Sequence, residues 1–172
     1  TLNPENTQRG QRWAVRVRAT DGALSGPTAE AQVDIVNARP TASVTVAPER
    51  PTSLEDLRAV ADGTDEDGDG LRYRYSWSVD GAVIDHNRAV LPAALTRKGE
   101  RWTVEARADD GIELGEGAEA TVLVGNAAPV IAGVAVRPDA PRVMDPITAA
   151  VDVSDPDDDP LEVVYTWFVN DE

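Results

Sequence analysis

The sequence predicts an all-β fold, a two-sheet sandwich repeated along the chain, on three observations. Short segments alternate apolar and polar residues, turn-forming pairs separate them, and the pattern returns after about ninety residues. Period-two alternation puts one face of a strand in a core and the other in water. The clearest case follows an acidic run at 65–69. Leu71, Tyr73, Tyr75, Trp77 and Val79 fall on one face, with Arg72, Arg74, Ser76, Ser78 and Asp80 on the other. Asp80-Gly81 then supplies the pair a type I′ hairpin turn requires, because both central residues take positive φ.

The repetition is specific. Gly10-Gln11-Arg12-Trp13 returns 89 positions later as Gly99-Glu100-Arg101-Trp102, and Asp21-Gly22 as Asp110-Gly111. Asn37-Ala38-Arg39-Pro40 returns as Asn126-Ala127-Ala128-Pro129 at the same offset. One inserted residue then makes the offset 90. Asp65-Glu66-Asp67-Gly68-Asp69 matches Asp155-Pro156-Asp157-Asp158-Asp159, and Tyr75-Ser76-Trp77 matches Tyr165-Thr166-Trp167. The chain therefore divides into the second half of one unit (1–37), a whole unit (38–126) and the first half of another (127–172).

Seven strands are expected in the whole unit. Thr41–Val46 turns Ala42, Val44 and Val46 inward, and Leu57, Ala59 and Ala61 mark a second strand. The aromatic strand 71–79 is the third, followed by a short return at Ala82–Ile84 and a weaker one at Arg88–Leu91, closed by Pro92. Trp102, Val104, Ala106 and Ala108 alternate with Thr103, Glu105 and Arg107. After a turn at Asp109–Gly115, Ala118, Ala120, Val122 and Val124 line the last inward face. No segment carries a helical period; Ala93-Ala94-Leu95 makes one turn at most. Seven short strands in about ninety residues fit an immunoglobulin-like sandwich. In such a core Trp77 and Trp102 are expected to face each other between the sheets, in place of a disulfide.

Composition narrows the function classes. There is no cysteine, hence no disulfide, thiolate metal site or cysteine nucleophile. A single histidine, His86, rules out His-cluster metal sites and reads as a solvated loop residue. A net charge of −15 opposes binding to nucleic acid or an anionic membrane, which need basic patches. No apolar run reaches membrane-span length. The start at Thr1 fits a fragment or a processed product.

Tyr75-Ser76-Trp77-Ser78-Val79-Asp80-Gly81, the stretch Trp102–Gly111 and the Asn-x-x-Pro junctions resemble bacterial PKD-like and cadherin-like repeats. The resemblance spans the chain through short motifs. It implies tandem Ig-like modules of large secreted or surface proteins, a spacer, stalk or adhesive role, and use of calcium. Asn37 and Asn126 lack the acidic neighbour of a true cadherin linker.

In an Ig-like sandwich the loop 65–69, the turn at 109–110 and the incoming linker share one end. Asp65, Asp67 and Asp69 are thus expected near Asp109, Asp110 and Asn37, and Asp155, Asp157 and Asp159 near Asn126. Such an all-oxygen set suits Ca²⁺ better than any metal that prefers nitrogen or sulfur. The same residues also make a solvated acidic turn with no metal. An EF-hand is rejected, since its twelfth position falls on Ser76 and its glycine becomes Pro160 in the second copy.

Three functions compete. A structural and adhesive repeat segment accounts for the repeat, the acidic turns and the short linkers. A carbohydrate-binding module of a secreted hydrolase needs exposed aromatics, and only Phe168 lies on an outward position. An enzyme needs a nucleophile–base set, and none is visible. The partners expected are neighbouring units of the same protein, with neither nucleic acid nor membrane insertion. The half-units at the two ends are accounted for by a trimmed longer chain, or by head-to-tail assembly in which 127–172 of one copy meets 1–36 of the next.

Overall fold

The computed structural model describes residues 2–169. It is all-β, with two short 3₁₀ turns at Pro4–Asn6 and Ala93–Leu95. A hairpin of β1 (Arg12–Thr20) and β2 (Ser25–Asp34) comes first. The central stretch holds β3 (Thr41–Ala47), β4 (Leu57–Thr64), β5 (Arg72–Val79), β6 (Ala82–Val83), β7 (Val90–Leu91), β8 (Arg101–Asp109) and β9 (Leu114–Leu123). A second hairpin, β10 (Val130–Arg137) with β11 (Thr148–Ser154), follows.

The central strands form two antiparallel sheets, ordered β3-β4-β7 and β6-β5-β8-β9. One core joins them: Val46, Leu57, Ala59 and Leu91 from the first, Trp77, Trp102, Val104 and Val122 from the second, with Val124 just past the end of β9. Leu57, Trp77, Leu91 and Val104 are wholly buried. Two sheets around a shared apolar layer are compatible with a β-sandwich. At the hairpin between β5 and β6, Asp80 and Gly81 both take positive φ (47° and 86°), as the turn pair requires. β9 starts at Leu114, inside the expected turn, after an irregularity in the β8–β9 register at Arg107–Asp109.

The two tryptophans correct one expectation. Trp77 and Trp102 do not face each other across the sheets; β5 and β8 are hydrogen-bonded neighbours, and Trp102 pairs with Val79. Both rings point inward from one sheet and meet edge to face, with centroids 6.5 Å apart and planes at 67°. That geometry sets the positive edge of one ring on the negative face of the other. Each indole N–H has a partner, Trp77 donating to the Arg88 carbonyl (2.8 Å) and Trp102 to Glu100 (3.0 Å).

The terminal hairpins carry the same residue pattern without the same burial. Val15 and Val17 on β1 and Val33 on β2 are more than half exposed, whereas Val104, Ala106 and Val122, 89 positions on, are buried. Val134 and Val136 on β10 are likewise exposed, while Val46 on β3 is buried. Residues 161–168, which repeat the β5 pattern, form no strand. A strand needs a ladder partner, and β5 has β8; no counterpart of β8 follows β11 among the described residues.

The inserted residue sits in β10. Pairing of β10 with β11 slips between Ile131 and Gly133, opposite Val153 and Asp152. In the unbulged pair β3–β4, the position matching Val153 is Gly63, where a Cβ would lie 2.3 Å from the Thr41 carbonyl oxygen. The bulge and the larger side chain occur together in one hairpin, the regular ladder and the glycine in the other.

Candidate functional site

The acidic loop is built from its first aspartate. Oδ1 of Asp65 accepts the backbone N–H of Asp67 (3.0 Å) and of Asp69 (3.1 Å), an Asx turn that folds the loop over itself. Gly68 closes it at φ 79°, its N–H donating to the Asp65 carbonyl. The second loop repeats this. Asp155 Oδ1 accepts from Asp157 (2.8 Å) and Asp159 (3.3 Å), and Asp158 stands at φ 59° where Gly68 stood. Aspartate tolerates that conformation better than most residues.

Each loop also holds the linker in front of it. The Ala38 N–H donates to Asp67 Oδ2 (2.7 Å), and the Ala127 N–H donates to Asp157 Oδ2 (2.6 Å). Asn37 folds its Nδ2 onto the Ala38 carbonyl (2.8 Å), and Asn126 does so onto that of Ala127 (2.6 Å). Asn37 Nδ2 reaches Asp110 Oδ2 as well, at 2.8 Å.

Asp110 is buried. Its Oδ1 accepts the N–H groups of Ile112 (2.7 Å) and Glu113 (2.6 Å), which shape the β8–β9 turn. The Asn37 amide first, then the Glu113 N–H, holds its carboxyl below the usual aspartate range. Asp109 does not join this group: its carboxylate turns outward to Arg74, across the β5–β8 ladder. Arg74 keeps the Asp109 carboxyl low.

The structure thus gathers Asp65, Asp67 and Asp69, with Asn37 and Asp110 bound in through the linker, and leaves Asp109 apart. In the second group Asp155, Asp157 and Asp159 converge and Asn126 lies at the linker. One carboxylate oxygen from each member of either triad lies within 4.8 Å of the others. Among the described residues, Oδ2 of Asp65 and Oδ2 of Asp155 are each buried without a hydrogen-bond partner. A buried, unpaired carboxylate oxygen is costly and calls for a counter-charge or a donor. This all-oxygen donor set fits a hard divalent cation.

The sequence reading missed a basic side chain at each loop. The Arg9 guanidinium grips Asp69 through both carboxylate oxygens, donates to Asn37 Oδ1 (2.6 Å), and lies 3.8 Å from Asp67. Lys98 pairs with Asp159. A signal was present: Arg9 and Lys98 are 89 positions apart, each directly before the repeated glycine. His86 is likewise less free than expected, half-buried with Nε2 2.7 Å from the Val90 carbonyl oxygen. No helix among the described residues is long and apolar enough to cross a membrane. Comparison with models of known protein families and with curated proteins gives no match to this chain.

Proposed function

We propose that the chain is a segment of a tandem array of Ig-like sandwich units, of PKD-like or cadherin-like kind, in a long bacterial surface or secreted protein. Its role there is structural and adhesive, without catalysis. Residues 1–37 are then the end of one unit, 38–126 a whole unit, and 127–172 the start of another. The division of seven central strands between two sheets supports this reading. The observation that carries it is the repeated junction. The bond from Ala38 to Asp67, the Asx turn on Asp65 and the buried Asp65 Oδ2 all return at Ala127, Asp157 and Asp155.

The acidic loops take Ca²⁺ on this reading, with the three aspartates of each loop as ligands. Neutralising them fixes the angle between neighbouring units. Extracellular modules bind Ca²⁺ at about 10⁻⁴ to 10⁻³ M. At ~1 mM Ca²⁺ and a Kd of ~0.1 mM, binding adds roughly 1.4 kcal/mol, enough to order a junction though not to fold a domain. The open apolar faces of β1–β2 and β10–β11 take the complementary half-unit, from the adjoining stretch of a longer chain or from a second copy. These are the two faces that the central stretch buries against each other.

Small-angle scattering and thermal melting of the chain in EDTA and in millimolar Ca²⁺ test the proposal. A stiffer, longer envelope and a higher melting temperature with Ca²⁺ are expected. A flexible-string profile under both conditions would overturn it.

A further inference from the structure

We propose that Arg9 and Lys98 are latches, each offered by one unit to the acidic loop of the next, and that they align neighbouring units without any metal. The proposal rests on the division into units given above, not on calcium.

The presentation of both residues is built in the same way. A 3₁₀ turn precedes each, Pro4–Asn6 or Ala93–Leu95, and is closed by a threonine whose N–H and hydroxyl both return to the first carbonyl of the turn. A glycine follows each, Gly10 at φ 82° and Gly99 at φ 87°. Their N–H groups donate to the carbonyls of Ile35 (2.9 Å) and Val124 (2.8 Å), at the end of the last strand of the unit. Only one residue, Val36 or Gly125, then separates that point from the linker asparagine. The basic side chain is therefore held beside the exit of its own unit, facing the loop of the following one.

The charge arrangement fits a latch. Each cation sits directly on its loop: Arg9 pairs with Asp69 and lies 3.8 Å from Asp67, and Lys98 pairs with Asp159. Isolated surface ion pairs contribute little, but bidentate arginine pairs and networks are the recognised exception. Arg9 is both bidentate on Asp69 and joined to Asn37, which holds Asp110. Among the described residues, Lys98 pairs with Asp159 alone. The two junctions are thus of unequal strength, and the lysine junction yields first as salt rises.

The chain has no cysteine, so introduced pairs can be spin-labelled cleanly. Ala23→Cys with Asp85→Cys spans the first junction, and Asp85→Cys with Ala140→Cys the second. Distance distributions are measured in EDTA between about 10 mM and about 1 M salt, where the screening length falls from about 30 Å to about 3 Å. In low salt, Arg9→Ala and Lys98→Ala should each roughly double the width across their own junction and leave the other unchanged. Lys98→Arg should move the salt midpoint of the second junction upward. An unchanged melting temperature of the central unit separates loss of the latch from loss of fold. Alanine variants with the parent's widths at low salt overturn the proposal. A Ca²⁺ titration without effect, beside widths that respond to Arg9 and Lys98, removes the calcium reading and leaves the latch standing.

Discussion

Asn37 Nδ2 lies 2.8 Å from Oδ2 of Asp110, so the linker entering the central sheets and the turn that leaves β8 share one hydrogen bond. These residues are 73 positions apart, and the bond closes the end of the fold where the acidic loop sits.

This pair makes acid stability the first prediction. Asp110 and Asp109 are held ionised in the folded state below the ordinary carboxylate range. Their contribution is fully present above the unfolded pKa near 3.9 and is lost as pH falls through the lower folded values. Melting temperature measured from about pH 5 down to pH 2 should therefore fall with acidification, and Asn37→Ala should make that fall shallower. Equal slopes in the two proteins would show that Asn37 does not set the Asp110 titration.

Gly63→Val tests the pairing of glycine with a regular ladder. The new side chain meets the Thr41 carbonyl oxygen, which is backbone and cannot swing away. Overpacking of this kind costs about 1–3 kcal/mol, read as a lower urea midpoint at unchanged slope. A residue inserted after Ala42, copying the β10 bulge, should recover part of the loss.

Trp77→Ala should cost about 3–5 kcal/mol, since the side chain is wholly buried and its indole N–H is satisfied. Trp167→Ala should cost far less in the same chain, because that ring is 56% exposed. Comparable losses at both sites would mean that the C-terminal stretch is covered in solution.

Asp65→Asn with Asp155→Asn should abolish any rise in melting temperature on adding Ca²⁺. The rise in the parent is expected at roughly 3–6 °C for a gain of ~1.4 kcal/mol. A parent whose melting temperature ignores Ca²⁺ would leave the loops as turns closed by their own hydrogen bonds.

Much of the fold was legible because alternation survives wherever one face is buried. Val104, Ala106 and Ala108 were readable as inward from their spacing alone, and all are buried. Asp80-Gly81 announced its turn because few other pairs accept two positive φ values. The placement of the tryptophans was not legible: period two tells which face a residue takes but not which sheet its strand joins. The loop aspartates could be listed from the repeat, yet the outward turn of Asp109 depends on Arg74 across the ladder, a pairing that spacing does not encode. Arg9 and Lys98 escaped notice because a basic residue in a loop has no periodic signature. Their equivalence emerges only with the glycine behind them.

The bond from the Ala38 N–H to Asp67 has a mechanical consequence. Tension arriving along the linker reaches β3 through the covalent backbone and reaches the loop between β4 and β5 through that bond. Since β4 belongs to one sheet and β5 to the other, the load enters both layers at once. A pull shared in this way peels neither layer away first, and the edge strand β3 is spared the task of bearing it alone.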